Sequence, residues 1–537
     1  MAEPKDKGIH LDDILQRFGL FGRYQTKMTL LVGFAFFTNG MHCINYIFVA
    51  EQTPYRCKID ACESQTQTFE AQWYNFTAPT DYRNCYRYGN TQNNSECSEN
   101  GFDAEVIQPC TDWVYKDEHS FVSEFGLACQ EWKRTFVGTI HSVGLMLGLF
   151  FQGQLSDKIG RKATIIIAGL AAALFGIAKS FANGYLMYLF LELMEATFGD
   201  NCSPAFIMSV ELVHNDRRLE QQIFFSIIFA MGGVTIATAA YLLPYWRNFV
   251  LAIYLPSLFY LLYFFVMDES VRWLLSKGKK KKATQILLKM AKNNGLDLNG
   301  QDLNNIQCEQ IETKSSPLRD TFRSKIVVKR FSICLIWWIT CTFVSFGMVV
   351  NVVSLAGDKY INLGLMSLSD IPASFAMVYT LRRFQRKKPL FTSFMSAGVL
   401  CLIQPFVPKK YVWLSTGLYF LGRFVTTFTF ATVYMYTSEL FPTYTRNSMH
   451  ALCSAIGRVG SILAPMTPLL TQYMESLPTL LIGGISIVAG LTTLLVPDLA
   501  DEPLPDNVRQ AENLGNNHLP LNSVENDNTK IRNPESA

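Results

Sequence analysis

Charged side chains standing inside long apolar runs are the residues of this chain with chemistry to do. Arg458 falls in an apolar run at 447–471, Arg423 in one at 412–438, Asp370 in one at 359–381, and Glu192, Glu195 and Asp200 in one at 185–211. A charge in the middle of hydrocarbon costs about 2.5–3.5 kcal/mol on insertion scales, so each needs a partner or a ligand. Arg458 lies about 18 Å of helix into its run, near the midplane. A guanidinium there grips a carboxylate or sulfate with two donors. Its competing use is internal pairing with Asp370, Glu192 or Glu195. Arg423 divides between structural pairing and ligand contact, and Asp370 between answering an ammonium and pairing with Arg458. Trp337, Trp338, Phe343, Phe346, Phe428, Phe430 and Tyr434 offer ring faces to flat organic ions, although most membrane aromatics face lipid or neighbouring helices. Trp337, Phe346, Phe430 and Tyr434 are the candidates carried forward. His42, His141 and His450 are candidate proton relays.

A second chemistry-bearing stretch is Gly153-Gln154-Leu155-Ser156-Asp157-Lys158-Ile159-Gly160-Arg161-Lys162. It joins two apolar runs, 133–152 and 163–182. Gly153 and Gly160 permit close approach and a tight turn. Asp157 suits a basic partner or the positive start of the next helix. Arg161 and Lys162 hold the loop on the cytoplasmic side.

The elements that position these residues are membrane spans. Of 537 residues 49% are hydrophobic, gathered in runs long enough to cross a bilayer, and the 17% charged residues fall mostly between them. The runs lie at about 24–48, 133–154, 163–182, 185–211, 220–243, 249–267, 330–353, 359–381, 389–407, 412–438, 447–471 and 478–497. The expected fold is an all-α membrane protein of twelve transmembrane helices in two six-helix halves. Both termini are then cytoplasmic, as the basic residues near the N-terminus and in the central loop also suggest. Expected divisions are a cytoplasmic N-terminus 1–23, a first half 24–267, a helical cytoplasmic linker 268–329, a second half 330–497 and a disordered cytoplasmic tail 498–537. No cleavable leader is visible in the first 23 residues.

The loop 49–131 carries fourteen acidic and five basic residues between Phe48 and Glu131, and faces outward. It holds Cys57, Cys62, Cys85, Cys97, Cys110 and Cys129, an even set that implies disulfides of open connectivity. Asn75 and Asn93 begin glycosylation acceptors, whereas the one at Asn201 falls inside a span and is discounted. Neither a metal cluster nor a nucleophile–base pair stands out, so no enzyme, cofactor or nucleic-acid partner is expected. The expected partners are the lipid bilayer, a small organic ion and a coupling ion or exchange substrate.

The 153–162 stretch resembles the loop between the second and third helices of major facilitator superfamily transporters. The halves also repeat weakly: Ser209-Val210-Glu211-Leu212 with Arg217 echoes Thr437-Ser438-Glu439-Leu440 with Arg446. With the Cys-rich outer loop, Asp268-Glu269-Ser270-Val271-Arg272-Trp273-Leu274 and the stretch Tyr436 to Asn447, the chain resembles the organic cation/anion/zwitterion transporters of the solute-carrier type. The resemblance implies a plasma-membrane carrier working by alternating access, with Gly153, Asp157, Gly160, Arg161, Lys162, Glu211, Glu439 and Arg446 in its gates. It implies a basic residue at Arg458 in anion and carnitine-type carriers, and Lys or Arg at Arg423. Ser374 stands where several anion carriers have Lys, and the loop after span 8 lacks the Asp and Gly of the first-half motif. The expected cargo is a small organic anion or zwitterion, the alternative an organic cation. A non-transporting receptor on the same scaffold is the expectation from another class.

Overall fold

The protein is described by a computed structural model over residues 11–18, 22–63, 68–79, 84–90, 97–214, 217–296, 321–383, 386–408, 410–442, 445–498, 505 and 508–513. The first half begins with α1 (Leu11–Phe18), α2 (Arg23–His42) and the short α3 (Tyr46–Val49). The outer loop holds β1 (Tyr55–Cys57), α4 (Tyr74–Thr77), β2 (Tyr86–Asn90), β3 (Phe102–Pro109), β4 (Trp113–Tyr115) and α5 (Phe121–Glu124). There follow α6 (Glu131–Ile159), α7 (Arg161–Lys179), α8 (Tyr185–Phe198), α9 (Cys202–Leu212), α10 (Arg218–Leu242), α11 (Trp246–Tyr254) and α12 (Tyr260–Val266). The linker carries α13 (Val271–Ser276) and α14 (Lys280–Asn294). The second half comprises α15 (Lys325–Asn351), α16 (Lys359–Arg383), α17 (Lys387–Ile403), α18 (Val412–Glu439), α19 (Arg446–Leu463) and α20 (Leu477–Thr492), followed by α21 (Val508–Asn513).

Among the described residues ten helices are long and apolar enough to cross a membrane. The two remaining predicted spans depart for identifiable reasons. The fourth is broken at Gly199-Asp200-Asn201 into α8 and α9, each too short to cross alone. The tenth, α18, is 28 residues long and carries the hydroxyls of Thr426, Thr427, Thr429 and Thr432 within its apolar pattern. The order of elements is consistent with twelve spans.

In the outer loop β1 pairs antiparallel with β4, setting Tyr55 opposite Tyr115, and β2 pairs with β3. Disulfides join Cys57 to Cys110, Cys62 to Cys97 and Cys85 to Cys129. Asn75 is exposed in α4. Asn93 lies outside the described residues, as does most of the predicted disordered tail. One piece of that tail differs from expectation: α21 is helical, and its Ala511 is buried and accepts a hydrogen bond from Arg330.

Apolar packing reveals the state of the molecule. One hydrophobic cluster, at the outer end, contains residues of both halves, among them Phe48, Phe249, Phe343 and Met348. Two further clusters lie toward the end away from the disulfide-bonded loop, and each belongs to one side: one to the first half with the linker, the other to the second half with α21. Polar contacts follow the same division. At the outer end Lys359 pairs with Glu51, the Phe48 and Tyr360 rings stack 5.5 Å apart, and Thr139 donates to the Ile462 carbonyl at 3.2 Å. The halves are closed against each other at the end bearing the disulfide-bonded loop and separately packed at the other.

Candidate functional site

The break in the fourth span lies at mid-depth, about 18 Å from the inner end of α9. Gly199 is required there, because a Cβ would come within 2.9 Å of the Ala172 Cα. Broken helices at the midplane expose polar backbone and side chains where a cavity can use them. Asp200 Oδ1 accepts from Asn39 Nδ2 at 2.9 Å and from the Cys202 N–H at 3.0 Å. Asn201 is buried and donates to the Tyr260 hydroxyl at 2.5 Å. From the second half, Arg458 of α19 acts electrostatically on Asp200, on Cys202 and on Cys43. Asp200 and Arg458 are both partly exposed and form no ion pair with each other. The Arg458 guanidinium has no hydrogen-bond or ion-pair partner among the described residues. An acid and a base from opposite halves thus lie within electrostatic reach of each other.

All three internal partners expected for Arg458 are taken by other cations. Arg423 holds Asp370 with two bonds, Nε to Oδ1 at 3.0 Å and Nη2 to Oδ2 at 2.9 Å, and Thr427 donates to the same carboxylate at 2.6 Å. Asp370 is therefore Arg423's partner. Glu192 and Glu195 are taken by Lys179, whose ammonium lies 2.8 Å and 3.3 Å from them. Lys179 also donates to the Tyr254 hydroxyl at 3.0 Å, and His141 Nδ1 meets Glu192 Oε1 at 2.8 Å. His141, Glu192 and Glu195 are spaced as a metal could use them, but Lys179 already supplies the cation. This cluster was missed in the sequence because Lys179 stands near the outer end of its run, where a lysine reads as reaching for water.

At the end away from the disulfide-bonded loop Arg161 binds Glu211 through Nη2 at 3.0 Å and Asp157 through Nη1 at 2.8 Å. Gly160 has φ of +111°, and a Cβ on it would strike Glu269 Oε2. That close approach lets Glu269 Oε1 accept from the backbone N–H of Arg161 at 2.9 Å and of Lys162 at 3.1 Å. Burial pushes the Glu269 carboxyl above its usual range, opposed by backbone donors from Ser270, Lys162 and Arg161. Gly153 differs from expectation: it lies inside α6 with open space where a side chain would begin. The second half repeats the plan despite lacking the Asp and Gly. Arg386 pairs with Glu439 at 3.2 Å, and Lys387 donates to the Leu494 carbonyl as Lys162 does to that of Phe264. Arg446 opens α19, its N–H bonded to the Pro442 carbonyl. Each of these ion pairs stays within its own half.

The aromatic candidates separate. Trp337 is fully buried in the second-half core, stacked on Tyr436 at 5.5 Å and bonded to Thr492, so packing removes it from any cavity. Phe346 is partly buried against the outer cluster. Phe430 and Tyr434 surround Trp338 at 5.8 Å and 5.9 Å, and Tyr434 touches His450 at 4.3 Å. Tyr434 is 43% exposed. The groove of about 810 Å³ lined by Arg23, Leu30, Phe34, Phe259 and Leu262 is apolar and lies away from these charges.

Residues 61–504 match the sugar (and other) transporter family. The chain belongs to that family. Its relatives include rat solute carrier family 22 member 3, 30% identical over 95% of this chain and 96% of the relative. A Drosophila melanogaster organic cation transporter protein is 27% identical over 97% of both chains. The human solute carrier family 22 member 2 is 28% identical over 94% of this chain and 95% of its own. The organic-ion solute-carrier resemblance therefore stands, and the chain is a multi-pass membrane transporter rather than an enzyme. Among solved structures, the partially occluded, inward-open xylose transporter of E. coli has a TM-score of 0.56 at 15% identity, covering 89% of this chain and 99% of its own. That likeness establishes the major facilitator fold.

Proposed function

We propose that this transporter carries small organic ions bearing a cationic nitrogen across the plasma membrane by alternating access, and that zwitterions with a separate carboxylate fit it best. The observation that carries the reading is the facing of Asp200 and Arg458 from opposite halves without an ion pair. A ligand with ammonium and carboxylate groups answers both charges at once and ties the halves together when bound. The outer closure through Lys359 and Glu51, with separate inner clusters, supports a carrier resting open toward the cytoplasm. The relatives named for organic cations weigh against the plain-anion reading, and so does Asp200 at the midplane. An organic cation carrier using Asp200 alone is the second reading. Coupling to an ion or to a counter-substrate belongs to the same proposal.

The test is saturable uptake of a labelled quaternary ammonium, a trimethylammonium carboxylate and an aromatic carboxylate, in cells with matched surface levels of wild type or Asp200→Asn. Zwitterion and cation uptake that falls tenfold or more in the variant supports the reading. Uptake of the carboxylate alone, untouched by Asp200→Asn, overturns it.

A further inference from the structure

We infer that the sealed cluster of the first half is a proton site: His141 takes up one proton on Nε2, and that proton is coupled to the charge on Asp200. Lys179, Glu192, Glu195 and His141 are 0%, 0%, 2% and 1% exposed. With the carboxylates ionised, Lys179 protonated and the imidazole neutral, the four side chains sum to one negative charge. An uncompensated charge in such a place is strongly unfavourable. One proton on the imidazole removes it.

The ring is set up to accept that proton. Nδ1 faces Glu192 Oε1 at 2.8 Å and Glu195 Oε2 at 3.8 Å, so its hydrogen is held there. Nε2 is left with a lone pair and has no partner among the described residues. The groups facing the ring come from every side. Glu192, Glu195 and Tyr188 stand on α8, Lys179 on α7, Tyr254 on α11 and Tyr46 on α3. His42 of α2 interacts electrostatically with both His141 and Lys179. Cys43, Cys202 and Arg458 surround Asp200, and His141 itself acts on Asp200. An imidazolium therefore neutralises the cluster and favours the ionised Asp200 that an ammonium needs.

Tyr46 offers the way in. Its ring lies 5.4 Å from the His141 ring, its hydroxyl is buried without a partner among the described residues, and it lines an outer cavity of about 420 Å³ with Glu51 and Arg134. The proton passes from outer water to Nε2 and leaves inward with the substrate; no other bond changes. The coupling rests on the transport reading above, whereas the protonation does not.

The experiment has two arms. Ring ¹⁵N NMR of the purified full-length chain resolves its 7 histidines, with His141→Gln assigning one resonance. His141 is expected to pass from a neutral Nδ1–H ring to imidazolium as the medium is acidified. A ring that stays neutral at every pH at which the chain remains folded overturns the proton site. In proteoliposomes holding a pH dye, 4-(trimethylammonio)butyrate entry should acidify the lumen in wild type. In His141→Gln the proton signal per labelled probe moved should fall to background, and Tyr46→Phe should slow that signal tenfold. Exchange by wild type with no acidification, or with alkalinisation, overturns the coupling. Absence of exchange of every probe by wild type overturns the transport reading and leaves the NMR answer standing.

Discussion

In the first half, Lys179, Glu192, Glu195 and His141 are closed off from any solvent, whereas in the second half Arg423 and Asp370 keep side-chain exposures of 13% and 15%. Both solve the cost of charge in a bilayer by pairing, but they leave different freedom. The sealed group is held by α6, α7 and α8 together and changes charge only by moving a proton. The pair in the second half, still partly exposed, can exchange partners with an ion that reaches it. A rigid charged core beside an open pair suits a carrier whose first half anchors the site and whose second half adapts to the ligand.

The comparison breaks most easily at Lys179. Lys179→Met leaves two buried carboxylates facing each other and should destabilise the protein by about 3–5 kcal/mol. Thermal unfolding in detergent checks this, and adding Glu192→Gln with Glu195→Gln should restore most of the loss. If Lys179→Met melts like wild type, the cluster is not the anchor described. For the half-open pair the expected loss is smaller and falls on function. Asp370→Asn should cut uptake about tenfold, near 1.4 kcal/mol, with only a modest change in melting temperature. A drop in stability as large as that of Lys179→Met would erase the contrast between the halves.

Much of this contrast was legible in the sequence, and some was not. Arg458, Arg423 and Asp370 announce themselves as charges deep inside apolar runs, and Gly160 to Lys162 as a motif with fixed spacing. Pairing is another matter. The choice of Arg423 over Arg458 as the partner of Asp370 depends on which faces of α16 and α18 meet, and one sequence contains no record of that. Trp337 and Trp338 are adjacent, yet one is bound in the core and the other neighbours Tyr434, because successive helical residues point about 100° apart. Asp200 was visible as a charge, but its place at a helix break depends on the closeness of Gly199 to α7.

Two further predictions sharpen the picture at lower cost to the protein. Glu51→Gln removes the ion pair to Lys359, a partly exposed contact with side chains 31% accessible on both sides. It should shift the balance toward the outward-open state by about 0.2–1 kcal/mol, read as faster labelling of a cysteine placed in the outer cavity. Unchanged labelling would mean that the aromatic stack of Phe48 and Tyr360 does the closing. Smallest in its effect on transport is Trp337→Phe. It should lose about 1 kcal/mol of stability with the hydrogen bond to Thr492 and leave the KM for every probe unchanged.

The most direct test of the facing-charge site is the ratio of zwitterion to quaternary-ammonium uptake in Arg458→Gln against wild type, at matched surface expression. The account predicts that the ratio falls at least tenfold, because the carboxylate loses its guanidinium while the ammonium keeps Asp200. An unchanged ratio, with both probes moved as well as by wild type, would contradict it.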